Sequence, residues 1–457
     1  MCRRAAWARA ATGSSTRICV AGQTTPITIR TGVARVNNCR PDRSERVNRR
    51  TFLKTTAAAS AAALFRPIDA EAALPQAKIT RIRLYEAPTV MPLQIPLLQS
   101  NMIVTIETDA NITGIGEGGT RDTIEPCAGR LIGQNPFHIE RLWQDMYRAF
   151  HYPPGRERLH AIGALDLALW DLKGKALGVP VYELLGGMNR NHLECYTTTF
   201  RGGGNTMRER AAACMDAGWR LFRFDAASLP QGSTSYDARE RIRQVQADCR
   251  AAREGVGPGG NFMVDFHQRF TFADALRGCR LIEEFEPYLV EDPVQTDSFL
   301  QDIPKLRSLT SVPLAAGEEW GARWDFHRLV ENHDLDFVRC SLPNVGGITE
   351  LIRICALCET HDIGIVPHFT GPIATAAQVH ALAPYPQSVV FEYNYSGQSI
   401  PYLNEFVTFK EGKLYSNDRP GLGVTVNMDR LRLVATISEP GPNRPTYFRP
   451  DGSQMTW

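Results

Sequence analysis

The chain has 457 residues, of which 43% are hydrophobic and 22% charged, a composition typical of a globular protein large enough for two domains. The formal net charge is +2, and no basic stripe alternates with aromatic residues, so nucleic-acid binding has no support. Apart from one short stretch near the N-terminus, no apolar run is long enough to span a bilayer.

The first patterned segment is that short stretch, NRRTFLKTTAAASAAALF at positions 48–65. Arg49 and Arg50 precede a weakly apolar, Ala-rich run, and a small-residue cleavage site after Ala72 follows it. This order resembles a twin-arginine export signal. We predict a disordered leader plus signal over residues 1–72 and a periplasmic mature protein without a membrane span. The alternative is an Ala-rich helix on the mature surface.

Eight of the eleven cysteines follow the predicted cleavage site, and their spacing does not indicate a metal site. Cys355 and Cys358 form a CxxC pair on a segment with helical periodicity, but no second pair supplies the other half of a zinc site. We interpret them as small core residues. Scattered free thiols suit an export route that carries folded proteins, because such a fold does not depend on disulfides.

Residues 73–190 are predicted to form an α+β capping domain. The alternating segments KITRIRLYEA and NMIVTIETDANITGIGEGG predict strands. Helical segments follow, and the last of them ends at Gly178-Val179-Pro180. Between the first two strands lies a Pro-rich loop, APTVMPLQIPLLQSN, at positions 87–101.

In residues 191–395, short apolar runs alternate with amphipathic helical segments. This pattern predicts βα units and a parallel sheet. Eight runs are present, the number that closes a (β/α)8 barrel. The fold class is therefore α/β, a TIM-like (β/α) barrel with an N-terminal α+β capping domain. The runs are LECYTT, LFRFDA, FMVDFH, YLVEDP, VPLAAGEE, DFVRCS, GIVPHF and SVVFEYN.

A polar residue lies near the carboxyl end of six of these runs. Successive members of this set are about one βα unit apart in the sequence. Since a (β/α)8 barrel gathers the carboxyl ends of its strands at one mouth, we expect these side chains to converge. Strand alternation also predicts that Asp265 and His267 leave the same face of their strand. The six residues are Asp265, Glu291, Glu318, Ser341, His368 and Glu392.

Asp265, Glu291 and Glu318 lie on three successive predicted strands. Without a cation, three converging carboxylates repel one another and some must take up protons. An all-oxygen site that leaves room for water and substrate suits Mg²⁺, so we predict a Mg²⁺ site. The alternative is that each acid pairs with a surface lysine or arginine.

His267 and His368 are the two imidazoles at strand ends, on the third and seventh runs, and they approach the mouth from nearly opposite sides. Imidazole gives or takes a proton near neutral pH. A divalent cation beside a substrate carboxylate makes the α-proton more acidic. One histidine can therefore take that proton while the other protonates a departing β-hydroxyl.

These residues stand in a sequence that resembles the enolase superfamily, in its mandelate racemase-like branch, from about Lys78 to Asp429. The motif ALDLALWDLKGKALGVPVYELLGG is a specific signature at the end of the capping domain, and VDFH, VEDP, AAGEEW, NVGGIT and VPHFTGPI follow in family order. DFHQR, GEEWGARWDF and PHFTGPIA are most similar to acid-sugar dehydratases of the galactonate dehydratase kind.

The resemblance implies a role for each candidate residue. It implies that Asp265, Glu291 and Glu318 bind Mg²⁺, that His267 is the general acid and His368 the general base, and that Glu392 lies beside the substrate carboxylate. It also implies that the 87–101 loop covers the mouth as a lid. RPGLGVTVNMD at 419–429 resembles the family's return to the capping domain, so we assign 396–457 to that return. Family members are commonly even-numbered homo-oligomers.

Two positions differ from the family pattern. On the sixth strand the family usually supports its seventh-strand histidine with an aspartate, whereas DFVRCSLPNVGG places Ser341 there. On the second strand racemases carry a Lys-x-Lys pair, whereas FRFD supplies Arg223 and Asp225. No lysine therefore faces His368, and two-base racemisation lacks one of its bases.

Arg223 and the Arg-x-Ser reading of the sixth strand are similar to mannonate dehydratases, in which a loop tyrosine helps to abstract the proton. Tyr236 is a candidate counterpart, with an ordinary loop tyrosine as the alternative. We predict catalytic roles for Arg223 and Glu392. We also predict substrate contacts for three further residues, Asp225, Glu319 and Ser341.

The main hypothesis is a Mg²⁺-dependent dehydratase of a sugar acid, an aldonate or aldarate, that produces a 2-keto-3-deoxy acid. One alternative is a racemase or epimerase of a carboxylate substrate. Another is an exported sugar-acid-binding homologue without catalysis.

Overall fold

We describe a computed structural model of the chain over residues 74–88, 102–148, 150–151, 155–198, 200, 202–226, 234–441 and 446–456, all of which belong to one compact unit. The predicted leader and signal at 1–72 lie outside the described residues, as does the predicted lid loop apart from its first two positions. Within the described residues, no helix combines the length and apolar character needed to cross a membrane.

The capping domain contains a four-stranded antiparallel sheet and a set of helices packed against it. The sheet has the order β16-β1-β2-β3, with β1 at Ile79–Glu86, β2 at Met102–Thr108, β3 at Thr113–Glu117 and β16 at Arg432–Ile437. The helices are α1 (Arg121–Leu131), α2 (Ile139–Arg148), α3 (Arg156–Leu177) and the short α4 (Val181–Leu184).

Helix α3 lies unusually close to strand β3. A Cβ atom on Gly116 would stand 2.0 Å from the carbonyl oxygen of Ala164, so the absence of a side chain at this position allows the helix backbone to approach the sheet. The helix ends at Gly178, which adopts the left-handed conformation with φ 70°. The predicted stop at Gly178-Val179-Pro180 is confirmed.

The barrel alternates strands and helices in chain order, and each of the eight predicted runs contains a strand. The helices are α5 (Met207–Asp216), α6 (Ala238–Val256), α7 (Phe272–Ile282), α8 (Phe299–Arg307), α9 (Arg323–Glu331), α10 (Ile348–Glu359) and α11 (Pro372–Leu382). The strands are β4 (Leu193–Tyr196), β5 (Phe222–Asp225), β6 (Phe262–Asp265), β7 (Leu289–Glu291), β8 (Leu314–Ala316), β9 (Phe337–Val338), β10 (Gly364–Ile365) and β11 (Val390–Glu392).

The eight strands follow one another in order around the barrel. Strands β5 to β10 form one parallel sheet, and β11 pairs in parallel with β4. Ile365 and Val389 form a parallel bridge between β10 and the entry to β11. Between β4 and β5 the backbone N–H of Arg220 donates to the carbonyl of Cys195 at 2.9 Å. The carboxyl ends of all eight strands therefore lie at one end of the barrel.

The C-terminal segment divides between the two domains. Strands β13 (Thr408–Lys410) and β14 (Lys413–Tyr415) form a hairpin that adds antiparallel to β4, while β12 (Leu403–Glu405) pairs with β15 (Thr425–Val426). Only β16 enters the capping sheet, where it pairs with β1 in the register Leu84 to Ala435. The chain first returns to the capping domain at Gly421 and Leu422, which hydrogen-bond Val181 and Asp171, and it joins the capping sheet in its last strand.

The eight cysteines after the predicted cleavage site are all buried and free. Cys355 and Cys358 lie on α10 within the main apolar core. Their interpretation as core residues is confirmed.

One carboxylate of the capping domain reaches the first turn of barrel helix α10. Asp166 of α3 is fully buried and accepts hydrogen bonds from the backbone N–H of Thr349 at 2.9 Å and from its hydroxyl at 2.5 Å. A Cβ atom on Gly347 would stand 2.5 Å from the Asp166 carboxylate. Asp166 therefore caps a helix of the other domain.

Stability should depend on pH through Asp166, because burial raises the pKa of its carboxyl to about 7, against about 3.9 in an unfolded chain. Between these values the folded state binds a proton that the unfolded state has released, so stability falls as pH rises from 4 to 7. In urea titrations at pH 5 and pH 8, the stability of the wild type relative to Asp166→Asn should fall by about 2–3 kcal/mol.

The matched control is Asp216→Asn, at the exposed end of α5, which should change the pH dependence little. A stability difference between wild type and Asp166→Asn that is the same at both pH values would contradict this prediction.

Candidate active site

The three predicted metal ligands all lie at the mouth of the barrel. Asp265 ends β6 and stands directly opposite Glu291, which ends β7. Glu318 follows β8 by two positions. The side chains of Asp265 and Glu291 are fully buried, and that of Glu318 is 12% exposed. The sequence placed these acids at strand ends, and the structure has them there.

Glu318 lies between the two predicted catalytic imidazoles. His267 Nε2 is 4.0 Å from one Glu318 carboxylate oxygen, and His368 Nε2 is 3.6 Å from the other. The two histidines come from the third and seventh strand ends, so they flank the same carboxylate from opposite sides. A substrate seated against Glu318 would have an imidazole on each flank.

The prediction that strand alternation places Asp265 and His267 on one face is wrong, because His267 lies outside the strand. Strand β6 ends at Asp265, and the next residues turn sharply, since His267 and Gln268 have φ values of 48° and 59°. The backbone N–H of His267 donates to the Asp265 carboxylate at 2.6 Å. The two side chains share the mouth because of this turn. Residues other than glycine rarely adopt such φ values, and where they do the strain is commonly at a functional site.

The environments of the two imidazoles move their pKa values in opposite directions. The Asp225 carboxylate, 3.7 Å from His267 Nδ1, raises the pKa of His267 to about 9. Burial lowers the pKa of His368. Near neutral pH, His267 therefore holds a proton while His368 has a free ring nitrogen. This places the predicted substrate residue Asp225 beside the predicted acid.

The three acids have unequal electrostatics. Burial raises the pKa of Asp265 to about 6, with Arg223 opposing the shift, and raises the pKa of Glu291 well above its usual range. Burial also raises the pKa of Glu318, but His368 and Arg339 outweigh it and lower the pKa overall. Acids that penalise one another's charge favour a cation beside them, but among the described residues Asp265 does not belong to the 4.8 Å ligand group that contains Glu291 and Glu318.

Arg339 lies at the centre of the mouth, and the sequence did not assign it a role. Its side chain is 1% exposed, and its guanidinium pairs with Glu291, with Glu318 at 3.0 Å and with Glu392 at 2.7 Å. Position 339 follows β9 directly and precedes Ser341 by two. In the sequence, the Arg-x-Ser spacing of the sixth predicted strand was the one feature that pointed to Arg339.

Arg223 lies on β5 and contributes a second buried cation. It pairs with Asp265 and lies 3.7 Å from Glu291. The alternative that the acids pair with basic residues therefore holds in part, but these arginines are buried inside the mouth.

Glu392 is held by several donors at the end of β11. It accepts hydrogen bonds from the Thr198 hydroxyl at 2.6 Å, from the backbone N–H of Phe369 at 3.0 Å and from the Tyr196 hydroxyl at 3.3 Å. Burial raises its pKa, but Arg339, His368, Arg223 and the Thr198 hydroxyl together outweigh burial and lower the pKa overall, so the carboxyl stays ionised. The anion is thus held next to the residue that follows His368.

The acids of the mouth fit a hard divalent cation. Carboxylate oxygens of Glu291, Asp292 and Glu318 lie within 4.8 Å of one another, and those of Asp265 and Asp225 form a second such group with His267. Both Glu291 oxygens are buried, and among the described residues neither accepts a hydrogen bond. These oxygens lie beside the Arg339 and Arg223 guanidinium groups, so the position already favours positive charge, and an all-oxygen set suits Mg²⁺. The sequence missed Asp292, which adopts φ 42° directly after β7.

Two family models match the chain. Residues 76–186 match the mandelate racemase / muconate lactonizing enzyme N-terminal domain, and residues 206–430 match the enolase C-terminal domain-like family. The D-galactonate dehydratase of Xanthomonas campestris pv. campestris is 34% identical over 399 residues, covering 83% of this chain and all of that protein. The chain belongs to the enolase superfamily.

Other relatives agree with this membership of the mandelate racemase-like branch. The D-galactonate dehydratase of Pectobacterium atrosepticum is 33% identical over 402 residues, covering 83% of this chain and 100% of that protein. The L-talarate dehydratase of Polaromonas sp. JS666, solved with Mg and L-glucarate, has a TM-score of 0.66 at 26% identity over 79% of this chain and 99% of its own. The relatives place this superfamily member among the hydro-lyases.

For a member of the enolase superfamily, the sixth strand end is unusual in the way the sequence indicated. Ser341 is buried, and among the described residues no hydrogen bond joins its hydroxyl to His368. The carboxylate nearest to His368 Nε2 in the structure is that of Glu318. Glu318 faces the ring nitrogen Nε2, so it does not replace an aspartate that would support the imidazole from its other nitrogen.

Two other candidate site residues, Glu319 and Tyr236, differ in their exposure to solvent. Glu319 is exposed, one position after Glu318, and its predicted substrate contact stays a prediction. Among the residues that the structure describes, the buried Tyr236 hydroxyl has no hydrogen-bond partner, and the ring lies 6.3 Å from that of Phe270.

Proposed function

We propose that the protein is a Mg²⁺-dependent dehydratase that removes water across C2 and C3 of a sugar acid and yields a 2-keto-3-deoxy acid. One observation carries the proposal. Two imidazoles with opposite protonation preferences flank the two oxygens of one carboxylate of the mouth, Glu318. Proton removal on one side of a substrate and protonation of a leaving group on the other require this arrangement.

The acids at the mouth would hold the metal ion. Glu291 and Glu318 would be ligands, with Asp265 opposite Glu291 in the strand register and Asp292 adjacent in space. When bound, Mg²⁺ supplies positive charge that makes the proton next to the substrate carboxylate more acidic.

The side chains of the chain itself move the protons. His368 Nε2 takes the proton from C2, and the electron pair of the broken C–H bond is delocalised into the substrate carboxylate. That pair then forms the C2–C3 double bond as the C3 hydroxyl leaves. The His267 imidazolium donates a proton to that hydroxyl, so the hydroxyl departs as water. The resulting enol takes up a proton at C3 and releases the proton of its C2 hydroxyl, which gives the keto acid. Arg223 and Glu392 would bind and orient the substrate at the mouth.

The relatives support the class of substrate. Those named above are dehydratases of D-galactonate and L-talarate, so we infer an aldonate or aldarate substrate for this chain. We also propose that the mature protein is a periplasmic, even-numbered homo-oligomer exported by the twin-arginine route. N-terminal sequencing of the native protein and its size in solution test these two points.

The decisive experiment is a screen of aldonates and aldarates with the purified protein and Mg²⁺, read by a keto-acid assay. We expect turnover on at least one substrate, loss of at least about 100-fold after chelation by EDTA, and recovery when Mg²⁺ is added back. Binding of Mg²⁺ without turnover on any sugar acid would contradict the proposal.

The flanking imidazoles also favour a second candidate, an epimerase in which His267 and His368 act as the two bases. In D₂O, deuterium in recovered substrate without formation of a keto acid would identify that reaction. The third hypothesis, a binding protein without catalysis, predicts a calorimetric signal for a sugar acid and no isotope exchange.

A further inference from the structure

A second buried carboxylate of the capping domain contacts the barrel beside the catalytic base. Glu117 ends strand β3 and is 3% exposed. The backbone N–H of Ala374 donates to it at 2.9 Å, and that of Ile373 also points to it. Both amides lie in the first turn of α11, the helix that follows the His368 segment, so Glu117 caps this turn from another domain.

The chain leaves space for this carboxylate at Gly371. A Cβ atom there would stand 2.2 Å from the carboxyl carbon of Glu117. The φ of Gly371 is −58°, which any residue adopts. The glycine is therefore needed for the close approach of the carboxylate and not for its backbone conformation.

The other hydrogen bonds that hold residues 368–371 come from the barrel and the segment after β11. The backbone N–H of His368 donates to Cys340, that of Phe369 donates to Glu392, and the carbonyl of Thr370 accepts from the Tyr395 hydroxyl at 2.6 Å. Among the described contacts to this segment and the turn after it, Glu117 supplies the carboxylate that comes from the capping domain.

Glu117 is also buried without an ion pair among the described residues. Burial raises the pKa of its carboxyl to about 7, and the backbone amides of Ala374 and Ile373 oppose that shift. An uncompensated buried carboxylate is unfavourable, and the positive end of a helix offsets this only in part. A group of this kind is more readily explained by a positioning role than by stability.

We propose that Glu117 is a positioning residue that fixes the location of His368 by holding the first turn of α11. The inference rests on the proposed function of His368 as the base. Strand β3 pairs with β2, and β2 begins at Met102, directly after the predicted lid loop.

The test compares Glu117→Gln and Glu117→Ala with wild type by steady-state kinetics and by hydrogen exchange of the peptide covering residues 366–376. A shift of the base by about 1 Å costs about 100-fold in rate. We expect kcat to fall about 100-fold in Glu117→Ala and less in Glu117→Gln, which keeps one acceptor oxygen. KM should stay within about threefold, because substrate binding is retained. Exchange should accelerate in this peptide more than elsewhere.

The control is Glu125→Gln, which makes the same change at a more exposed position of the same domain and should alter neither readout. If the wild type dehydrates no sugar acid, the proposed function fails, and the exchange data still test the contact. Unchanged kcat and unchanged exchange in Glu117→Ala would overturn the inference. So would a uniform rise of exchange over the whole barrel in both variants, because that pattern indicates a purely structural role.

Discussion

Replacing His368 with asparagine is expected to lower kcat by about 10²–10⁴-fold, the range typical of a lost general base. The variant should fold, because the imidazole is 22% exposed and its structural hydrogen bond to Cys340 comes from the backbone. Without the base, the C2 proton is not removed. Recovered substrate from a reaction in D₂O should therefore contain no deuterium, as read by mass spectrometry.

His267→Asn is the matched variant at the other flank of Glu318. It should lose dehydration to a similar degree but keep exchange of the C2 proton with D₂O, because the base is intact and only protonation of the leaving hydroxyl fails. Deuterium incorporation by the His368 variant, or full dehydration by the His267 variant, would reverse or remove the roles assigned to them.

Arg339→Met is expected to have the largest effect on stability. The variant leaves three buried carboxylates, Glu291, Glu318 and Glu392, without their shared cation. Loss of one partner from a buried ion pair costs about 3–5 kcal/mol. In the presence of EDTA, the free energy of unfolding in urea should fall by that amount. Saturating Mg²⁺ should restore more stability to the variant than it adds to the wild type, because the ion replaces the missing charge.

The control for this prediction is Arg220→Met, a partly exposed arginine that pairs with Glu194 on the barrel surface. Its effect should stay below about 1 kcal/mol, as surface ion pairs contribute little. A similar loss in both variants, or a loss in Arg339→Met that Mg²⁺ leaves unchanged, would mean that Arg339 does not neutralise the metal-binding acids.

The elements that could be predicted from the sequence are those that repeat or follow strand order. Short apolar runs separated by amphipathic helices have one low-energy arrangement, a parallel sheet with its strand ends on one side. This is why Asp265, Glu291 and His368 were found, although more than a hundred positions separate the first and last of them.

The residues that the sequence missed depend on contacts that a local pattern does not contain. Arg339 lies two positions before Ser341, which the sequence predicts to be at a strand end. The role of Arg339, however, follows from carboxylates contributed by three other strand ends. The left-handed turns at His267 and Asp292 carry no glycine to mark them. Glu117 and Asp166 lie in capping-domain segments whose barrel partners follow about 180 to 260 positions later.

The pairing of β1 with β16 makes the capping domain discontinuous along the chain. During synthesis, the outer edge of the first strand has no partner until residues 432–437 emerge from the ribosome. A nascent chain therefore exposes an open strand edge, a site at which chains associate wrongly, for nearly the whole of translation. Removal of the last 26 residues, which contain β16, would leave the edge of β1 permanently unpaired. We expect such a shortened chain to aggregate, although it retains the whole sequence of the barrel.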